Sequence, residues 1–220
     1  MIIVHHLNNS RSQRVLWLLE ELGLPYEIKR YQRNPKTMLA PPELLAVHPL
    51  GKSPVITDGG HTVAETGAIM EYIVSRYGGG RMGAPTDEEG QLRYTYWMHF
   101  AEGSAMPPLV MTLLFGEIPK RVPFPLRPFA KLIGGGVTSS YLRPTIAKQL
   151  DLMEAELGKS AWFAGANLTA ADVMMSFPLE AAGARIGLTA YPKLEAWVAT
   201  IHGRAAYRRA LEKGGAYAYA

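Results

Sequence analysis

The chain opens on a short apolar-rich run, Ile2-Ile3-Val4-His5-His6-Leu7, suited to a buried strand, and the polar Asn8-Asn9-Ser10 ends it. The period then changes. Val15, Leu18, Leu19 and Leu22 fall at i, i+3, i+4 and i+7, the spacing of one helix face. Gly23 stands where a C-terminal cap belongs, and Pro25 blocks continuation. Tyr26 and Ile28 alternate with Glu27 and Lys29, which predicts a second strand. From Asn34 to Pro49 the pattern loosens, and Pro41-Pro42 open at most a short helix through Leu44, Leu45 and Val47. Pro54-Val55-Ile56 and Thr62-Val63-Ala64 flank Asp58-Gly59-Gly60, a hairpin signal. A helix then starts near Glu65, buries Ile69, Tyr72 and Ile73, and stops at Gly78-Gly79-Gly80.

These elements run βαβ-ββα, a single mixed sheet with helices on its faces, which is the thioredoxin-like order. Past Gly80 the strand signals fade. Helical patterns cover Gln91–Gly103, Thr145–Leu157, Ala170–Arg185 and Lys193–Leu211. The glycine run, Pro85 and the change of period divide the chain into residues 1–80, an α/β domain, and residues 87–220, an all-helical domain. Thr169-Ala170-Ala171-Asp172 has the form of a capping box, with Leu168 and Val173 as its hydrophobic staple. Between Gly103 and Gly136 prolines interrupt the apolar segments, so an irregular stretch is expected there, either a binding loop or a kinked helix with a surface excursion.

Composition narrows the chemistry. The 220 residues contain no cysteine, which excludes disulfides, thiolate metal sites and a protein-thiol redox cycle. Net charge is +4, but the basic residues are dispersed. Their densest cluster, Lys120, Arg121, Arg127 and Lys131, reads as a solvated face, and no nucleic-acid-binding motif accompanies it. The N-terminus lacks the pattern of a secretory signal, and no apolar stretch is long enough to span a bilayer. A soluble cytoplasmic protein without membrane or nucleic-acid partners is expected. The six histidines show no metal-ligand spacing, and His5 and His6, adjacent on a strand, should point to opposite faces.

Four segments carry a family resemblance across essentially the whole chain. They are Asn8-Asn9-Ser10-Arg11-Ser12-Gln13-Arg14-Val15, His48-Pro49-Leu50-Gly51-Lys52-Ser53-Pro54, Ala64-Glu65-Thr66-Gly67-Ala68-Ile69 and Leu168-Thr169-Ala170-Ala171-Asp172. In this order and spacing the chain resembles the cytosolic glutathione transferases, particularly serine-type bacterial and fungal members near the theta and nu groups. The resemblance implies glutathione as cosubstrate, no metal, and a homodimer with Met70–Tyr77 and Gln91–Phe100 as interface helices.

Glutathione is an anionic tripeptide, and its conjugation needs the thiolate. A hydroxyl at a helix entrance can donate to that sulfur while the helix N-terminus favours its charge. By resemblance Ser10 is the catalytic candidate. Ser12 lies near the same helix start, Asn9 or Arg11 can serve instead, and either serine can simply cap the helix. The resemblance places the backbone of Ser53, before a cis Pro54, against the cysteinyl part of glutathione. It sets Glu65 on the γ-glutamyl ammonium, Thr66 on its carboxylate and Lys52 on the glycyl carboxylate. Tyr96, His99 and Phe100 are candidates for a hydrophobic substrate wall, or else for core. The expected activity is conjugation of glutathione to small apolar electrophiles, with hydroperoxide reduction as a related outcome on the same site. A noncatalytic glutathione or hydrophobic-ligand binder and a regulatory adaptor are the alternatives on this fold.

Overall fold

The computed structural model describes residues 1–37 and 39–219. The strands β1 (Ile2–Leu7), β2 (Tyr26–Tyr31), β3 (Val55–Asp58) and β4 (His61–Ala64) form one sheet in the order β2-β1-β3-β4. β1 runs parallel to β2, and β3 is antiparallel to both β1 and β4. Val4 sits at the centre of the register, opposite Ile28 on one side and Ile56 on the other. The parallel pair requires a crossover, supplied by α1 (Ser12–Leu22). Gly23 ends α1 at φ 65°, the left-handed conformation the cap needs.

α1 is the central element of the molecule. From Ser12 to Leu22 every residue but Glu21 is buried, because the sheet lies on one side of it and helices from the second half on the other. Its apolar stripe therefore understates its burial. Glu20 accepts from Lys213 (2.5 Å) and Arg209 (2.8 Å), and Glu21 from Arg204 (2.5 and 2.9 Å), tying it to the C-terminal helices.

After α2 (Thr66–Tyr77) the chain is helical: α3 (Glu88–Phe100), α4 (Met106–Arg121), α5 (Arg127–Val137), α6 (Arg143–Glu156), α7 (Ala170–Arg185), α8 (Pro192–Gly203) and α9 (Ala205–Gly214). Two sequence expectations change. The stretch from Gly103 to Gly136 is largely helical, because its prolines other than Pro119 sit in the first turns of helices or in the connection. Pro107 and Pro128 lie in the first turns of α4 and α5, Pro119 in the last turn of α4, and Pro123 and Pro125 in the connection. The expected helix Lys193–Leu211 is two helices. Arg204 breaks it in extended conformation (φ −70°, ψ 135°) while its guanidinium engages Glu21.

The capping box forms as expected. The buried Asp172 carboxylate accepts from Thr169 N (2.9 Å), Thr169 Oγ1 (2.9 Å) and Phe163 N (2.8 Å), so it starts α7 and also anchors the preceding loop.

Candidate active site

Three segments converge at the C-terminal end of β1. The first is the β1–α1 turn, in which Asn9 takes φ 48°. Ser10 follows, buried at 5% exposure, one residue before the N-cap Arg11, and its Oγ accepts from Ser12 N (3.3 Å) within the turn. Ser10 Oγ also lies 2.7 Å from Ser12 Oγ and 3.4 Å from Ser53 Oγ. Ser12 Oγ in turn lies 2.8 Å from His6 Nδ1. Burial, with Arg30 nearby, pushes His6 down to about 4, and a backbone hydrogen bond at Gly214 only partly opposes this. The ring is therefore neutral at pH 7.

In the tautomer with the imidazole proton on Nε2, His6 Nδ1 accepts from Ser12. The Ser53 hydroxyl donates to His5 O (2.9 Å). Both neighbours of Ser10 are thus acceptors toward it. In that tautomer Ser10 holds the one hydroxyl proton of the three that no imidazole or carbonyl claims.

The second segment is the Ser53-Pro54 peptide, which is cis. Besides its backbone, the Ser53 side chain has a part, because Leu7 N donates to its Oγ (3.3 Å) and stitches the start of β3 to β1. The third is the β4–α2 junction. Glu65 is exposed and held at φ 70°, a conformation that costs a non-glycine residue about 1–3 kcal/mol, while Thr66 begins α2 and is buried. Strain of this kind clusters at functional sites, where a ligand contact can offset it.

Arg11, His48, Leu50, Lys52, Ser53, Pro54, Val55, Ala64, Glu65, Thr66 and Glu102 line a cavity of about 260 Å³. Its neighbour, about 500 Å³, shares Arg11, Leu50, Lys52 and Ser53 and adds Arg33, Gly51 and the apolar Leu7, Leu39, Ala40, Pro41 and Leu45. Ser10 is not a lining residue but lies directly behind Ser53. Asn9 is turned away, its Oδ1 accepting from Ala218 N (2.9 Å). Arg11 is held by Glu102 at 2.9 and 3.0 Å. Tyr96 and His99 are exposed on α3, Tyr96 stacking on the buried Phe100 (5.5 Å), and none of the three lines either cavity.

Sequence reasoning missed the pair behind this cavity. Arg14, 1% exposed, donates to Met174 O (2.7 Å) and Thr66 Oγ1 (3.4 Å) and pairs closely with Glu102. Burial raises the Glu102 carboxyl, but Arg14 and Arg11 outweigh it and hold it below the usual carboxylate range. Glu102 is the lone acid between Trp97 and Leu109, and Arg14 lies on the most buried helix, so each carried the signal of a buried charge needing a partner. Through this pair the helical half supports the residue at the start of α2. Among the described residues, no cluster of histidine and carboxylates is arranged to hold a metal ion.

A basin between a helix N-terminus, an extended backbone edge and a strained acidic residue suits a short anionic peptide. Comparison with known proteins agrees with that geometry. The chain matches the glutathione S-transferase N-terminal domain over residues 1–75 and the corresponding C-terminal domain over residues 138–205. It belongs to the glutathione S-transferase family, and it is an enzyme of that class. It is 37% identical to glutathione S-transferase 3 of Schizosaccharomyces pombe over 97% of this chain and 88% of the relative. It is 32% identical to glutathione S-transferase 1 of Saccharomyces cerevisiae, covering 98% and 96%. A glutathione S-transferase structure from Actinobacillus pleuropneumoniae superposes with a TM-score of 0.81 at 32% identity, covering 100% of this chain and 95% of that one.

Proposed function

We propose that this enzyme transfers the thiolate of glutathione to small apolar electrophiles, as a serine-type member near the theta and nu groups, with Ser10 as the donor to sulfur. The uncommitted Ser10 proton carries the reading. When the thiolate occupies the junction of the two cavities, Ser10 swings from Ser12 Oγ to the sulfur, and the first turn of α1 adds its dipole. Ser12 remains bound to His6 and fixes the position of Ser10. Ser53 offers its backbone to the cysteinyl unit, Glu65 takes the γ-glutamyl ammonium, and Thr66 takes its carboxylate. Lys52 faces the glycyl carboxylate. The apolar cleft along Leu39, Pro41, Leu45 and Leu50 receives the electrophile, a placement that the lining residues favour over the Tyr96, His99 and Phe100 wall.

The electrophile and thiolate then react by proximity, with the sulfur displacing a leaving group or opening an activated double bond. An organic hydroperoxide in the same cleft is attacked at oxygen, which yields the alcohol and a glutathione sulfenic acid; a second glutathione then reduces the acid to the disulfide and water. We place the enzyme in the cytoplasm as a homodimer through Met70–Tyr77 and Gln91–Phe100, since Leu92, Tyr96 and His99 share one exposed face of α3. Glutathione-affinity retention, run beside turnover of an aromatic halide and of an organic hydroperoxide, tests the assignment. No glutathione binding at millimolar concentration refutes it, and retention without turnover of either substrate reduces the protein to a binder.

A further inference from the structure

The hairpin formed by α4 and α5 departs from the packing of the rest of the molecule. α5 buries only Gly134, which approaches Phe115 of α4, and Ala130 and Val137 on the same side are half-buried. The opposite side is apolar and unpartnered: Phe129, Leu132 and Ile133 are 66%, 75% and 64% exposed, and the turn adds Phe124 at 79% and Leu126 at 53%. None of these residues lines either active-site cavity. Arg127 and Lys131 lie one helical turn apart along one flank of this arc, with Lys120 and Arg121 at the end of α4.

Charge is concentrated here as well. Residues 103–150 contain six Lys and Arg against one acid, a net +5, whereas the other residues sum to −1 of the chain's +4. That one acid, Glu117, pairs with Lys120 at 2.6 Å. Among the described residues no carboxylate pairs with Arg121, Arg127 or Lys131. An exposed helix with a wide apolar arc containing aromatics and a cationic edge is the pattern of a segment that lies in the plane of a membrane surface.

We propose that the α4–α5 hairpin docks the enzyme reversibly on an anionic lipid bilayer, with Phe129, Leu132 and Ile133 entering the headgroup boundary and the four cations on lipid phosphates. A second copy of this chain fits the patch less well. A twofold dimer through it covers each apolar arc but supplies no carboxylate for the cationic flank, because the one acid of residues 103–150 already pairs with Lys120. The bilayer satisfies both halves of the pattern, the apolar arc and the positive flank. No helix of the described residues is long and apolar enough to cross a membrane, so this contact is peripheral.

Flotation of the full-length protein with vesicles of phosphatidylcholine alone, or mixed with phosphatidylserine, tests this without reference to glutathione. Binding should require the anionic lipid and fall with added salt. Lys131→Glu, a change of two charges, should weaken partition about 25-fold, at about five-fold per charge near the surface. Leu132→Ser should weaken it at unchanged salt dependence. Both positions are exposed, and an unchanged thermal midpoint confirms that each variant folds. Three results overturn the proposal: no binding to mixed vesicles, equal binding to neutral ones, or a Leu132→Ser variant that turns a dimer into a monomer and leaves lipid binding intact.

Discussion

Replacing Ser10 with alanine removes the one hydroxyl proton at the entrance of α1 that no carbonyl or imidazole holds. With His6 in the tautomer that accepts from Ser12, that proton has two acceptors among the described residues, Ser12 Oγ at 2.7 Å and Ser53 Oγ at 3.4 Å, and each donates its own proton elsewhere. A hydrogen bond to a charged acceptor contributes about 1.5–3 kcal/mol, and a neutral one about 0.5–1.5. Exchanging the bond to Ser12 for one to the thiolate therefore nets about 1–2 kcal/mol. The loss should lower kcat/KM about 5- to 30-fold and raise the bound thiol's pKa by about 0.7–1.5 units. Ultraviolet titration of bound glutathione reads the second quantity, and turnover of an aromatic halide reads the first. Glutathione affinity should change little, because the contacts proposed for its peptide part lie on Ser53, Glu65 and Thr66. Loss of the hydrogen bond from Ser12 N adds a fall in stability of about 0.5–1.5 kcal/mol that melting separates from catalysis. If Ser10→Ala keeps the thiol pKa and turnover of the parent, the donor is another group. If Ser12→Ala reproduces the whole loss with Ser10 in place, Ser12 is the donor.

Glu65→Ala should raise the KM for glutathione with little change in kcat and leave the thermal midpoint about where it is, because alanine keeps the Cβ that makes φ 70° costly; an unchanged KM excludes Glu65 from binding. Arg14→Met leaves Glu102 and the Met174 carbonyl without their buried donor and should cost about 3 kcal/mol in denaturant unfolding, the low end for a broken buried pair because Glu102 is a third exposed. A cost below 1 kcal/mol would show the pair to be replaceable. Two buried groups should shift stability with pH in opposite directions. Burial lifts Asp172 to about 6 against its three hydrogen bonds, so its share of stability is full below about pH 4 and is lost as pH rises through about 6, about 3 kcal/mol in all. His6, pushed down to about 4, gives stability that is full above about pH 6.5 and is lost as pH falls through about 4. Chemical denaturation from pH 4 to 7 should therefore show the parent losing ground to Asp172→Asn and gaining on His6→Gln as pH rises. A parent advantage over Asp172→Asn that grows with pH would mean that the hydrogen bonds outweigh burial.

Much of the fold could be read locally. The period-two and period-3.6 patterns placed β1, α1 and the β3–β4 hairpin, and Thr169 with Asp172 marked the start of α7 within a single turn. These features are settled by residues a few positions apart, where rotamer, cap and turn preferences act without help from distant chain. The proline-rich stretch was misread for a related reason: a proline at the first turn of a helix and one that breaks a helix look alike until the helix's start is known. The division of Lys193–Leu211 at Arg204 was equally hidden, since its cause is Glu21, far away in the chain.

Within the site, the family resemblance singled out Ser10, Ser53-Pro54 and Glu65-Thr66 as a set, and the fold brings their three segments together at the C-terminal end of β1. Choosing between Ser10 and Ser12 needed the fold. Both stand at the same helix entrance, and the proposal of Ser10 rests on the position of His6 on β1, which offers the Ser12 hydroxyl an acceptor of its own. The same holds for Arg14 and Glu102, whose pairing is a matter of which elements exclude water around them. Local sequence determined the chemistry available to this protein; tertiary packing decided where each proton and charge resides, because hydrogen-bond direction and desolvation depend on neighbours brought together from opposite ends of the chain.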